Sequence, residues 1–279
     1  MGLIDYLLNL ASLLLWLNWR GTTFDPLAGA TPATLVGTLR RAEPARAKRW
    51  YFLAALAGLL GLRAWLDWQL GPALNWTARV NLFATRLAFK SDFLGLMLLY
   101  SVLSFGLLLG ICLSWLLLLS LLDTGAGAAL PIRLARQHLG FIDGWPAWRK
   151  FLLPLVVGFG LWWLLTWPLC RWGLIPQPAS ATGRLAQSGL VGFSAYLAWR
   201  DLIAALLGLH LLHNYLYFGR HPLWSFVDGA AGRLLRPLRA LPLRWGKFDV
   251  SPVVGLALVL VLARLAEAGL AQLYLRLSR

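Results

Sequence analysis

Residues 93–122 form a run of thirty residues that contains no Asp, Glu, Lys or Arg. A second uncharged run covers residues 151–170, and residues 185–218 carry no charged residue apart from Arg200 and Asp201. An α-helix needs about 20 mostly apolar residues to cross the hydrocarbon core of a bilayer, and the helices of soluble cores are usually shorter. These three runs therefore predict membrane-spanning helices.

The composition of the whole chain agrees with a membrane setting. Hydrophobic residues make up 59% of the 279 residues and charged residues only 13%. Soluble domains carry about 25% charged residues, so this chain has roughly half the usual supply. A water-exposed surface could not be covered with so few charges, and we predict an integral membrane protein.

Three further segments are weaker candidates for spans because they are short or interrupted by charges. They are residues 3–19, 50–68 and 251–275. The last two each contain a charged pair, Arg63 with Asp67 and Arg264 with Glu267. The predicted fold class is an all-α membrane protein with about six transmembrane helices, arranged as helical hairpins with basic amphipathic cytoplasmic loops. Without the first segment the count would be five.

Lysine and arginine are distributed unevenly between the predicted spans. Sixteen of the 26 Lys and Arg residues lie in three connections, residues 20–49, 123–150 and 219–250. The other side holds seven, in residues 67–92, 171–187 and 276–279. Because loops rich in Lys and Arg stay on the cytoplasmic side, we expect a multi-pass protein of the inner (plasma) membrane. Its basic connections would be cytoplasmic and both termini outside.

The net charge of +15 indicates an anionic partner. In a soluble protein such a charge would suggest nucleic acid. Here the basic residues lie between apolar runs, and no nucleic-acid recognition motif accompanies them. Anionic lipid headgroups at the basic loops are therefore the predicted partners, and nucleic acid is not.

The basic connections contain amphipathic segments. Within residues 222–241, an arginine recurs at every third position, at Arg233, Arg236 and Arg239. The leucines of this segment fall largely on another face of the predicted helix. That pattern is typical of a helix lying in the headgroup plane, here interrupted at Pro237. Residues 32–50 and 131–141 show shorter versions, and residues 72–90 are a further amphipathic candidate on the other side. A solvated or lipid-skimming loop is the alternative for each.

A spaced pattern occurs twice, 106 positions apart, each time between two predicted spans. The first copy consists of Pro131, Arg133, Asp143 and Pro146, and the second of Pro237, Arg239, Asp249 and Pro252. This spacing favours an internal duplication. An Asp or Ser followed by Pro suits the first turn of a helix. The arginines before Asp249 could pair with that carboxylate or with lipid phosphates.

The second copy also carries a resemblance to a known family. The run RPLRALP at residues 236–242, followed by FDVSPV at residues 248–253, resembles the motif of the YggT (YlmG) family of membrane proteins. The resemblance is specific over residues 210–275 and weak over residues 94–165. The matching residues are Arg236, Pro237, Arg239, Asp249, Ser251 and Pro252.

What the resemblance implies is an enlarged, divergent relative of small integral membrane proteins linked to the assembly or positioning of membrane complexes. The family has no established catalytic residues, so none is carried over. We expect three parts: an N-terminal membrane hairpin with an amphipathic segment at 1–90, a degenerate YggT-like repeat at 91–170 and a YggT-like repeat at 185–279.

Charged residues inside spans cost free energy and indicate either function or pairing. If the last two spans are antiparallel neighbours, the pairs Asp201–Arg264 and Arg200–Glu267 become feasible. Arg63 and Asp67 share one helix face, four positions apart. Ion pairs that hold the helices together are the favoured interpretation. A conducting pathway or proton relay is the alternative.

His210 and His213 share one helix face and could bind haem iron or a metal. A complete metal site needs more ligands, so hydrogen bonding near the interface is favoured, and neither metal nor cofactor is predicted. No Gly-rich phosphate loop, H-E-x-x-H or G-x-S-x-G motif occurs,. We therefore expect a protein that is not an enzyme.

The favoured function is that of a non-enzymatic scaffold, an accessory or assembly subunit that binds other integral membrane subunits. Small residues such as Gly106 and Gly110 would let helices approach closely inside the bilayer. An ion or solute channel or transporter that uses the intramembrane Arg, Asp and Glu residues is the main alternative. A membrane enzyme with its site under the basic loops is a third, weaker hypothesis.

Overall fold

The computed structural model of the chain describes residues 2–20, 49–73, 76–123, 130–176, 180–216, 221–240, 244–245 and 248–277. These residues are mostly helical, as the sequence predicts, with two short pairs of strands. The predicted amphipathic segment at residues 32–50 lies outside the described residues except for Arg49 and Trp50.

Within the described ranges the helices are α1 (Gly2–Trp19), α2 (Arg49–Ala73), α3 (Leu94–Leu121), α4 (Leu130–Leu139), α5 (Ala147–Arg171), α6 (Ala181–Ser194), α7 (Trp199–Tyr215), α8 (Pro222–Leu234) and α9 (Ser251–Leu277). The strands are β1 (Ala78–Asn81), β2 (Arg86–Phe89), β3 (Arg244–Trp245) and β4 (Phe248–Asp249). β1 pairs with β2, and β3 pairs with β4 in antiparallel register.

Four of the described helical segments are long and apolar enough to cross a membrane. They are α3, α5, the path from α6 through a 3₁₀ turn into α7, and α9. Their bounds agree with the strong runs in the sequence and with the weaker segment 251–275. The membrane class of the fold therefore has direct support in the structure.

The two remaining predicted spans form helices that are not among these four candidates. α1 has 18 residues, which at about 1.5 Å per residue gives roughly 27 Å, slightly less than the hydrocarbon core of about 30 Å. α2 contains Arg63 and Asp67 in its middle turns. Four candidate spans are thus present in the described chain, and the count of six stays a prediction.

The part of the predicted amphipathic segment 72–90 that the structure describes beyond Ala73, residues 76–90, is not helical. After α2 ends, the chain forms β1 and β2, and side chains along both strands alternate between buried and exposed. The prediction of an amphipathic helix there is wrong because the apolar residues recur with period two, which suits a strand. Phe83, in the turn between the strands, has a φ of 60° and donates its N–H to the Asn81 side chain at 3.1 Å.

The chain divides into two compact units. The first comprises Met1–Ala78 and Phe89–Leu109, and the second comprises Arg79–Ala88 and Gly110–Arg279. In the first unit, α1 packs against α2. In the second, α5 packs against α6, and α7 packs against both α8 and α9. The three-part division expected from the sequence stays a prediction.

The core of the second unit contains the apolar faces of the two short amphipathic helices. Ile132 and Ala135 of α4, and Phe226 and Ala230 of α8, join one buried cluster with the C-terminal end of α3 and with α7. The helices form where their periodicity predicts them. These apolar faces contact protein, and the position of the two helices in the lipid headgroup plane stays a prediction.

Proline ends the second of these helices. α8 stops at Leu234, and Pro237 lies in a 3₁₀ turn, Arg236–Ala240. Proline lacks the N–H that a continuing helix needs, and its ring clashes with the preceding turn. The predicted interruption at Pro237 is confirmed. Beyond it, Leu235 and Leu238 pack against Gly255 at the start of α9.

α5 and α6 approach each other through glycines. A Cβ atom added at Gly192 would lie 2.8 Å from the carbonyl oxygen of Leu155, and one added at Gly158 would lie 3.0 Å from the Cα of Gly192. Backbone atoms cannot move aside as the end of a flexible side chain can. The pairing of these two spans therefore depends on the absence of a side chain at Gly192.

We expect Gly192→Ala to destabilise the protein, because its methyl group would push α5 and α6 apart. Forcing an extra methyl into a close contact costs about 1–3 kcal/mol. The matched control is Gly189→Ala on the same helix, where nothing lies within 4 Å of the added Cβ. Thermal unfolding of both variants in detergent measures the difference. Equal melting temperatures would show that the contact does not hold the two helices.

Candidate functional site

The first copy of the repeated pattern lies at a buried polar network. Asp143 sits in the 3₁₀ turn Gly140–Gly144, between α4 and α5. The Ser120 hydroxyl, near the end of α3, donates a hydrogen bond to Asp143 Oδ1. Lys150, in the first turn of α5, donates to Ser120 Oγ at 2.8 Å, and its Nζ is 3.5 Å from Asp143 Oδ1. Three helical segments thus meet at one carboxylate.

A second ion pair extends this network. Arg136 of α4 places Nη2 2.8 Å from Asp123 Oδ2 and Nε 3.7 Å from Asp143 Oδ2. The network, which we call the Asp143 network, contains two carboxylates and two cations. Its formal charges balance, so no excess charge is available here for an ionic ligand. Its geometry ties α4 and the start of α5 to the end of α3.

The Asp143 network also places Ser120 next to Lys150. In some enzymes a lysine in such a position activates the serine hydroxyl as a nucleophile. Such activation needs a neutral lysine that can accept the serine proton. Here Lys150 Nζ already forms a salt bridge with Asp143 and a hydrogen bond with Ser120. Ser120 donates to Asp143 and accepts from Lys150. The contacts fit a structural clamp better than a nucleophile.

The other residues of the first copy have separate positions. Pro131 and Arg133 lie in the first half of α4, and Arg133 is exposed. Pro146 is the residue that precedes α5, and no side chain caps that helix. The Asp-x-x-Pro spacing does mark the start of a helix. Asp143 uses its carboxylate in the network instead of capping.

The second copy, which carries the family resemblance, has a different local structure. Arg236 and Pro237 lie in the 3₁₀ turn after α8, and Asp249 lies in β4, which pairs with β3. Ser251 and Pro252 are buried and begin α9. The predicted pairing of Asp249 with Arg236 or Arg239 lies outside the described residues, since the side chains of Arg239 and Asp249 are not described.

The Asp143 network has no equivalent in the second copy. The positions 106 residues after Ser120, Arg136 and Lys150 are occupied by Phe226, Pro242 and Leu256. None of these three can form a salt bridge. The two copies therefore share the residues that start a helix but not the polar contacts around the first carboxylate.

The charged residues of α7 and α9 pair only partly as predicted. Arg200 Nη1 lies 3.4 Å from Glu267 Oε2, which confirms that pair. Asp201 binds its neighbour, with Arg200 Nε 2.9 Å from Asp201 Oδ1. The predicted pair Asp201–Arg264 is wrong because Arg200 reaches both carboxylates. Arg264 is exposed and forms no salt bridge with the described residues.

Arg63 is the most deeply buried charge of the first unit, with 1% of its side chain exposed. Its Nε lies 3.8 Å from Asp67 Oδ2, as the i,i+4 spacing predicts, and its Nη2 lies 3.0 Å from Asp5 Oδ1. Arg63 also donates to Asn9 at 2.7 Å and lies 4.9 Å from the ring centre of Tyr100. It therefore connects α1, α2 and α3 within that unit.

His210 and His213 share one carboxylate. The Nδ1 atoms of His210 and His213 lie 2.8 and 3.0 Å from oxygens of Asp228 on α8. The ring of His213 also stacks on Trp224 at 5.0 Å between centres. Among the described residues, no group of three or more His, Cys, Asp or Glu could hold a metal ion. The contacts connect α7 to α8 by hydrogen bonds.

Sequence reasoning missed several partners in these clusters. They are Asp5, Asn9, Ser120, Asp123, Lys150 and Asp228. A weak signal existed for Lys150, because it directly precedes the uncharged run at residues 151–170, where a charge close to the bilayer core is costly unless it is paired,. Asp228 carried a similar signal, as the one acidic residue in the predicted amphipathic segment at 222–241.

No protein-family model, curated protein or solved structure matches this chain. Membership of the YggT family stays a prediction that depends on residues 236–253.

We expect Asp143→Asn to destabilise the second unit because it leaves Lys150 buried beside a neutral amide. Breaking a fully buried ion pair costs about 3–5 kcal/mol. A quarter of the Asp143 side chain is exposed, so solvent screening reduces the expected loss to about 2–3 kcal/mol.

The double variant Asp143→Asn/Lys150→Met removes both charges and should recover part of that loss. Chemical unfolding in detergent compares the single variant, the double variant and the parent protein. A double variant that is less stable than Asp143→Asn alone would contradict the pairing of Lys150 with Asp143.

Proposed function

We propose that this chain is a non-enzymatic scaffold, an accessory or assembly subunit of a larger complex of integral membrane proteins. It would be a multi-pass protein of the plasma membrane with six spans arranged as hairpins. Its basic connections would lie in the cytoplasm against anionic lipid headgroups, with both termini outside. The resemblance to the YggT family, whose members are linked to assembly or positioning of membrane complexes, agrees with this role.

One observation carries the proposal. Three of the four candidate spans, α3, α5 and α9, bury 17% or less of their most apolar window inside the chain. Their remaining surface is available to lipid or to helices of other proteins. Because lipid tails are as apolar as these side chains, association in the bilayer depends on close packing. A chain with so much uncovered helix surface is suited to docking.

α3 offers a surface for such packing. Leu98, Val102 and Gly106 recur at spacings of four residues and are all exposed. Nothing lies within 4 Å of a Cβ added at Gly106, and the same holds for Gly110. The two glycines predicted as interface residues are therefore not used to pack helices among the described residues. They remain available to a helix of another subunit.

The charges support this function over transport. Arg63 is paired within the first unit, and Arg200 is paired with Asp201 and Glu267 within the second. Charges that neutralise one another hold helices together, whereas a conducting pathway needs groups that face water or exchange partners. The described pairs therefore favour a static role.

The direct test is purification of the native protein in mild detergent followed by mass spectrometry. We expect another integral membrane protein at fixed stoichiometry. Gly106→Leu should abolish that co-purification, because the side chain fills the space that the partner helix needs. Gly160→Leu on α5 is the matched control, since nothing lies within 4 Å of a Cβ there either, and it should leave the partner bound.

Transport activity would contradict the proposal. If the lone protein in liposomes conducted an ion or solute, and Asp201→Asn or Glu267→Gln abolished that flux, the intramembrane charges would be part of a pathway. The absence of a stoichiometric partner from native membranes would also contradict the scaffold function.

A further inference from the structure

A cavity of about 640 Å³ lies between the C-terminal end of α5 and the N-terminal end of α6. It belongs to neither the repeated pattern nor the intramembrane ion pairs. Its lining consists of two arginines, two tryptophans and four smaller residues: Trp163, Thr166, Trp167, Cys170, Arg171, Ser180, Ala181 and Arg184.

The two charged residues that line this cavity are both positive. Arg171 and Arg184 both line it, and none of its lining residues is acidic. Residues 144–200, which contain the whole lining, include no Asp or Glu. Among the described residues, neither guanidinium belongs to a salt bridge, whereas Arg63, Arg136 and Arg200 each do. The cavity therefore holds two positive charges that are available to an anion.

Aromatic rings hold both guanidinium groups in place. Arg184 Cζ lies 4.3 Å from the ring centre of Trp163, and its Nη2 donates to the Trp163 carbonyl oxygen at 2.6 Å. Arg171 Cζ lies 5.5 Å from the ring centre of Trp167. The Nε atom of Arg184 is buried and has no hydrogen-bond acceptor in the described part of the chain. A buried N–H without an acceptor is uncommon in folded proteins.

The start of α6 adds to the positive potential. Ser180 is the N-cap of this 14-residue helix and accepts a hydrogen bond from the Gly183 N–H at 3.0 Å. The N-terminal end of a helix carries a partial positive charge that attracts anions. Hydroxyl groups of Ser180 and Thr182, 2.9 Å apart, lie beside it. Of these groups, Ser180 lines the cavity together with the two arginines.

We propose that this cavity binds a phosphate group, and specifically the phosphodiester headgroup of an anionic phospholipid. Arginine binds phosphate oxygens through parallel N–H bonds. A lipid is favoured over free phosphate because the cavity lies at the ends of two candidate spans, where headgroups are found. Trp167, which is largely exposed, offers an apolar surface to the glycerol and upper acyl region.

This site is separate from the basic connections. Those connections are predicted on the cytoplasmic side, whereas residues 171–187 belong to the opposite side in the predicted topology. The inference does not depend on the scaffold function, since it requires only that α5 and α6 lie in a membrane.

Cys170 lines the cavity and provides a local probe of occupancy. The chain has two cysteines, so Cys112→Ser leaves Cys170 as the only thiol. The experiment measures the rate at which a maleimide labels Cys170 in purified, detergent-solubilised protein. The rate is compared without additive and with short-chain phosphatidylglycerol, short-chain phosphatidylcholine or inorganic phosphate.

We expect phosphatidylglycerol to slow labelling at least fivefold and phosphatidylcholine to have little effect. Protection by inorganic phosphate alone would overturn the lipid assignment in favour of a free anion. Equal protection by both lipids would overturn the assignment to an anionic phospholipid, because phosphatidylcholine has a phosphodiester but no net charge. No protection by any of the three would overturn the proposal.

Two variants assign the effect to the arginines. Arg171→Gln and Arg184→Gln, each in the Cys112→Ser background, should abolish protection by phosphatidylglycerol. Arg171 is exposed, so its replacement leaves the fold intact even if replacement of Arg184 weakens the contact between α5 and α6. The matched control is Arg149→Gln, which removes an arginine held 5.1 Å from the ring centre of Trp148 at the other end of α5. It should leave protection unchanged, and loss of protection there would contradict a local site.

Discussion

A bilayer interior neither donates nor accepts hydrogen bonds, so a polar group on a membrane-spanning helix needs a partner within the protein. The second unit satisfies this constraint in several ways. Trp115 donates its indole N–H to the carbonyl oxygen of Ala198 at 2.6 Å, and Trp199 donates to that of Ser114 at 3.1 Å. Thr166 and Ser188 donate to carbonyl oxygens one turn back on their own helices. The two tryptophan bonds join α3 to the start of α7 and fix these neighbours more specifically than apolar packing can, because the chain is apolar on nearly every side.

The same constraint explains why the short amphipathic helices α4 and α8 matter. Each presents an apolar face to the common core of the second unit and carries a polar residue that contacts a neighbouring segment. Arg136 of α4 extends the Asp143 network, and Asp228 of α8 receives His210 and His213. α4 and α8 therefore stabilise the contacts among the segments of the second unit. Their exposed basic side chains remain available to headgroups, which is consistent with the proposed orientation in the membrane.

The parts of this structure that depend on local sequence could be predicted. The uncharged runs predict the bounds of α3 and α5 to within a few residues, and Pro237 predicts the interruption after α8. Both predictions succeed because hydropathy and backbone chemistry act within one segment. The partners of charged residues could not be predicted as well, because they depend on which helices meet. Ser120 and Lys150 converge on Asp143 from positions 23 residues before it and 7 after it. The strands at residues 78–89 carried a period-two pattern, but eight strand residues gave a weaker signal than the charges around them.

The central claim is that the uncovered faces of the four candidate spans contact lipid. A nitroxide label at Val261, an exposed position in the middle of α9, tests this most directly in the purified protein reconstituted into liposomes. The measurement compares collisions of the label with oxygen, which concentrates in the bilayer, and with a water-soluble nickel chelate. The account predicts frequent collisions with oxygen and very few with the chelate. Ready access of the chelate to Val261 would place that face in water and contradict the account.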